Sequence, residues 1–115
     1  MRIVRQHGAF VLAERGVRAQ TAWQRTRGLL GTESLPEGEA MVLAPCNGVH
    51  MLGMRYPLYV VYLDDDDRVL WQGVLRPWRF GPFIRDARRV VELPYALAGR
   101  VDVGDIVDFT EEKWN

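Results

Sequence analysis

At 115 residues, 48% of them hydrophobic and 26% charged, the chain has the composition of one ordinary globular domain rather than a disordered one. Fifteen basic and fifteen acidic residues cancel, which argues against nucleic-acid binding as the main task, since domains of that kind carry a clear positive excess. Fourteen of the fifteen cations are Arg and one, Lys113, is Lys. The lone cysteine forms no internal disulfide and implies no oxidising compartment.

The chain begins "MRIVRQHGAFVLAERG", interrupted by Arg2, Arg5, His7, Glu14 and Arg15. That run holds neither a signal h-region nor a spanning segment, so a soluble cytoplasmic protein with no membrane partner is expected. It reads as a hairpin: "RIVR", a turn near His7 and Gly8, then "AFVLAE". Over residues 19–31 the apolar residues Ala19, Ala22, Trp23, Thr26 and Leu30 recur at helical spacing. Thr21 and Gln24 match a capping box, and Gly28 or Gly31 suits the end. An α-helix over about residues 20–30, covering one sheet face, is therefore expected.

From residue 32 the signals are those of β structure. "AMVLA" is a short strand cut off by Pro45. "PLYVVYL" over 57–63 is apolar on both faces, the mark of an interior strand covered on both sides. "RVLWQGVL", "RRVVEL" and "DIVDF" supply three more strands, with a helical turn near residues 95–99 and a turn at "VDVGD". Many short strands with frequent turns point to a mainly β domain, a small jelly-roll-like barrel or sandwich with one covering helix.

Three stretches bear on chemistry. In "CNGVHMLGMRYP", Cys46, His50 and Met54 recur four residues apart. A Cys–His enzyme needs sulfur and imidazole within hydrogen-bond reach, yet on a continuous strand Cys46 and His50 sit about 13 Å apart. A helix would align them, but Pro45, Gly48, Gly53 and Pro57 disfavour one. Cys46 and His50 thus stay as weak catalytic candidates, and core packing is the plainer reading of both. The same three residues suit a soft metal such as Cu(I) or Zn, but an extended Cys46-to-Met54 segment spans roughly 26 Å. "DDDD" at 64–67 has Val69 and Leu75 where a calcium loop needs Gly and Glu, so it reads as a solvated hairpin turn. "LRPWRFGPFIRDARR" at 75–89 interleaves Arg76, Arg79, Arg85, Arg88 and Arg89 with Trp78, Phe80 and Phe83 in a long loop. Arg beside aromatic rings suits stacking and anion capture; a wrapping loop that seals the core is the alternative.

"RGLLG", "LPEGEAMVL", "CNGVHMLGMRYPLYVVYLDDDDRVLW" and "VVELPYALAGRVDVGDIVDF" together, from about Arg25 to Phe109, resemble the family called domain of unknown function 192. The resemblance implies a small jelly-roll-like barrel with a minor helical part, and brings no activity, cofactor or catalytic residue. Relatives tend to carry Asp where this chain has Tyr59, and Thr where it has Met51. The expectation is a non-catalytic binding or accessory module. Its site would lie at one barrel end, built from His50, Met54, Arg55, Tyr59, Arg76, Trp78 and Arg79, and would take a small polar or anionic ligand or a protein partner. A Cys46/His50 hydrolase-like enzyme or a soft-metal protein is the alternative. No cofactor and no metal are expected, and the chain should be a monomer or weak dimer.

Overall fold

The computed structural model describes residues 1–19 and 34–110. Eight strands run in the order β1 (Arg2–Arg5), β2 (Phe10–Ala13), β3 (Arg15–Ala19), β4 (Glu39–Leu43), β5 (Leu58–Leu63), β6 (Val69–Leu75), β7 (Arg89–Pro94) and β8 (Val107–Thr110). They form two sheets, β2-β1-β8 and β3-β4-β7-β5-β6. The fold is mainly β and sandwich-like; the sheets do not close into a barrel. The expected helix over residues 20–30 lies outside the described residues. The expected helical turn is a short 3-10 helix at Tyr95–Leu97.

The opening hairpin forms as its alternation dictates, β1 pairing with β2 across a 3-10 turn at His7–Ala9 in which Gly8 takes φ +74°. β3 is a strand that apolar periodicity alone does not mark. It pairs with β4 in parallel, from Arg15 opposite Glu39 to Ala19 opposite Leu43. A parallel pair needs a connection of a dozen or more residues, and the sequence separation between Ala19 and Glu39 meets that need. The remaining contacts between strands are antiparallel.

The five-stranded sheet is the middle layer. On one face Val42, Tyr59, Val61, Leu63, Val91 and Leu93 meet Ile3, Leu12 and Val107 of the three-stranded sheet. On the other, Met41, Leu43, Leu58, Val60, Tyr62 and Val90 are covered by Met51, Met54, Tyr56 and Ala87 from irregular segments. Side chains alternate between the faces of a strand. All six residues of β5 are buried because a layer lies on each side of it. Burying one such side chain contributes about 1.5–3 kcal/mol. β7, the middle strand of the sheet, carries Glu92, which is fully buried.

Candidate functional site

The two segments that the sequence singles out pair with each other. Met51 N–H donates to the Arg79 carbonyl at 2.7 Å and Trp78 N–H to the Met51 carbonyl at 2.8 Å. Gly81 N–H donates to the Val49 carbonyl and Ile84 N–H to the Asn47 carbonyl, each at 2.9 Å. Residues 47–51 and 78–84 therefore form an irregular antiparallel ribbon, with His50 opposite Phe80. The bonds fall to either side of that pair, so His50 and Phe80 are a non-hydrogen-bonded pair whose side chains sit close on one face. Their rings are 6.4 Å apart, edge to face. Alternation sends Met51 into the core, fully buried, while Phe80 turns outward and is 71% exposed.

Two features seat the ribbon on the sheet. Tyr62 of β5 donates its hydroxyl to the Pro82 carbonyl at 2.8 Å, and its ring meets Trp71 edge to face at 5.2 Å. Burial pushes the Tyr62 hydroxyl up to about 12, against an ordinary 10.0, with a smaller push from Cys46 and Glu92. Gly81 lies directly over that hydroxyl; a Cβ there would stand 2.6 Å from the Tyr62 oxygen and 2.9 Å from Leu75 Cδ1. Only glycine lets the ribbon come down this far.

Outside, the ribbon is apolar and cationic. Trp78 and Phe83 are 66% and 74% exposed, and Leu52 is also exposed. Trp78 takes φ +66°, a left-handed conformation costly for a bulky residue. Phe83 lies beside Gly48, Phe80 opposite His50, and the backbone of Trp78 beside Met51. Between the rings lies a cavity of about 260 Å³ lined by Gly48, Val49, His50, Phe80, Pro82 and Phe83. Arg55, Arg76, Arg79 and Arg85 are exposed, and no Asp or Glu occurs from Ala40 to Leu63 or from Arg68 to Arg85.

The other residues of the expected site lie elsewhere. Tyr59 is fully buried on the opposite face of β5, its hydroxyl donating to Gln72 Oε1 at 2.8 Å and accepting from Val101 N–H at 3.3 Å. Burial raises its pKa, and the Val101 backbone bond partly offsets that. Met54 is buried in the outer core cluster. Cys46 directs its thiol at the Gly48 carbonyl, 3.1 Å away, and borders a separate cavity with Pro45, Asn47, Ala87 and Arg88. His50 Nδ1 accepts from Leu52 N–H at 3.3 Å, an arrangement that assigns the ring proton to Nε2. Cys46 and His50 thus border different cavities. Among the described residues no three of His, Cys, Asp and Glu gather as metal ligands, and no helix is long and apolar enough to cross a membrane.

Sequence reasoning placed Arg76, Trp78, Arg79 and His50 in one region; His50, Trp78 and Arg79 share the ribbon, and Arg76 lies just before it. Phe80 and Phe83 carry more of its exposed surface than Tyr59 or Met54; their interleaving with Arg was the signal. Glu92 was legible only as a carboxylate inside an otherwise apolar strand.

The family profile described as an uncharacterised ACR, domain of unknown function 192 (DUF192), matches residues 3–109. The chain belongs to the DUF192 family. Two solved structures share the fold of this DUF192 protein. One is a protein of unknown function from Novosphingobium aromaticivorans, 21% identical, with a TM-score of 0.77 over 95% of this chain and 84% of that one. The other is a suggested transcription regulator from Sinorhizobium meliloti, 18% identical, with a TM-score of 0.68 over 93% of this chain and 89% of that one. At these identities the likeness is one of fold. No curated protein matches the chain.

Proposed function

We propose that this DUF192 protein is a non-catalytic binding or accessory module whose working surface is the outer face of the ribbon, with anionic chemistry in whatever it binds. One observation carries the reading. Three large aromatic rings stand more than 60% exposed on a hydrogen-bonded ribbon among four exposed arginines, in a stretch without carboxylates. Exposed apolar patches of this kind mark interaction sites, and Trp and Arg are the side chains that most often dominate binding energy. His50, Arg55, Arg76, Trp78 and Arg79 belong to this surface together with Phe80 and Phe83, while Met54 supports it from the core and Tyr59 packs on the opposite face of β5.

The reading is tested by recording amide and indole NMR shifts against dicarboxylates, nucleotides, sugar phosphates, anionic vesicles and acidic peptides. At least one anionic class should move resonances of residues 48–52 and 76–84, with the effect weakening as salt rises. Binding confined to some other part of the protein, or no binding at all, would refute it. An enzyme based on Cys46 predicts something different. A catalytic thiol alkylates fast in the native state, whereas a thiol that donates to the Gly48 carbonyl should react with iodoacetamide no faster than an ordinary one.

A further inference from the structure

Resting on that reading, we propose that the occupant of the ribbon is an acidic, extended peptide segment of a partner protein that inserts one apolar side chain between Phe80 and Phe83. Three observations narrow the class. The cavity between the rings, about 260 Å³, is bordered by Val49, His50, Phe80 and Phe83 and suits one aliphatic or aromatic side chain. Trp78 adds a third exposed ring on the same ribbon, whose backbone from Gly48 to Met51 spans about 10 Å, the length of three extended residues. On and next to the segments that form it are exposed arginines without a neighbouring carboxylate in sequence, Arg55, Arg76 and Arg79, whereas Arg85 is followed directly by Asp86. An extended chain with one apolar residue flanked by Asp or Glu complements all three at once. Arg holds carboxylates through paired N–H donors, and the buried anchor supplies most of the affinity.

Other anionic partners fit less well. A bilayer needs projecting rings and cations, but has no use for a side-chain-sized cavity between them. A second copy of this chain could offer Asp64–Asp67, and Asp65 and Asp66 are exposed. The apolar residues that flank that run, Leu63 and Val69, are 0% and 1% exposed, so the hairpin has no anchor to insert.

The test uses the full chain and NMR titration of the Trp78 indole and ribbon amides. The probes are a short peptide with one leucine between runs of Asp and Glu, the same peptide with Ser for Leu, and its Asn/Gln counterpart. The leucine peptide should bind saturably, and either altered peptide about tenfold or more weakly. The Phe80→Ser variant should lose the leucine preference, and the R76Q/R79Q variant the acidic one. Both exchanges are at exposed positions, and unchanged core resonances would show that the variants fold. Equal affinity with and without leucine would overturn the anchor and with it the proposal. Ribbon shifts with phosphatidylserine vesicles, dicarboxylates or rising protein concentration, but with none of the peptides, would overturn the peptide segment while leaving an anionic binding surface standing. Silence from every probe would remove both.

Discussion

Tyr62 does two jobs with one side chain, filling the outer core and holding down the Pro82 carbonyl. Tyr62→Phe keeps the ring and removes the bond, leaving a carbonyl to find water. The cost should be about 1 kcal/mol in urea unfolding, with faster amide exchange at Gly81 and Ile84 than in β5. Asp67 presents the opposite case. It takes φ +59° in the hairpin turn, and its Oδ1 is buried without a hydrogen bond, 3.6 Å from Arg89 Nη1. Burial raises its pKa more than Arg89 lowers it, so the fold tolerates the charged carboxylate less well than the unfolded chain does. Asn accepts this conformation readily and carries no charge. Asp67→Asn should therefore leave the melting temperature unchanged or higher, the lost ion pair being about one-third exposed and worth under about 1 kcal/mol.

At the scale of elements, the ribbon joins two loops that sequence periodicity leaves separate. Gly81→Ala should destabilise by about 1–3 kcal/mol, because the new methyl meets the Tyr62 hydroxyl and Leu75 together. Trp78→Gly separates stability from binding: glycine relieves the left-handed φ, which should stabilise the ribbon by up to about 1 kcal/mol, while the loss of the ring should weaken any partner. A melt and a titration on the same variant check both halves. These loops also show where sequence stops being legible. β5 and β7 declare themselves, since strands buried on both faces read as apolar runs. β3, "RGVRA", does not, because an edge strand with Arg15, Val17 and Arg18 exposed has no apolar alternation. The site was legible as residue types, Arg among aromatics. Its assembly depends on bonds between segments some thirty residues apart, for which no local pattern exists. Tyr59 misled because strand alternation fixes its face only relative to its neighbours, and which face meets the second sheet is a property of the whole fold.

At the scale of the molecule, net neutrality conceals an uneven layout. Leu58 pairs with Leu75 at one end of the β5–β6 hairpin, and Leu63 with Val69 at the other. Arg55 and Arg76 flank the first end and Asp64–Asp67 the second, about 20 Å away along six residues. Asp65 and Asp67 at the second end face Arg88 and Arg89, so the arginines of the first end set the field an anionic partner meets, and salt should slow its association more than it speeds dissociation. Stability should also fall in alkali. Tyr59 and Tyr62 both hold their protons longer when folded than when unfolded. Between pH 10 and about 12 the unfolded chain has released a proton that folded Tyr62 retains, so raising pH through that window favours unfolding, and below it these groups cost nothing. Urea midpoints across the window should drop for the wild type and drop less for Tyr62→Phe.

The smaller sheet joins β1 to β8, with Arg2 opposite Thr110 and Arg5 opposite Val107. Its middle strand thus precedes one of its flanking strands by more than a hundred residues of chain. On the ribosome, β1 and β2 can form their hairpin early. Ile3, however, stays without its Phe109 neighbour until more than a hundred further residues have emerged. For that interval the apolar face of the large sheet that will meet β1 is incompletely covered, and the nascent chain depends on chaperones or on speed to keep that face from other chains.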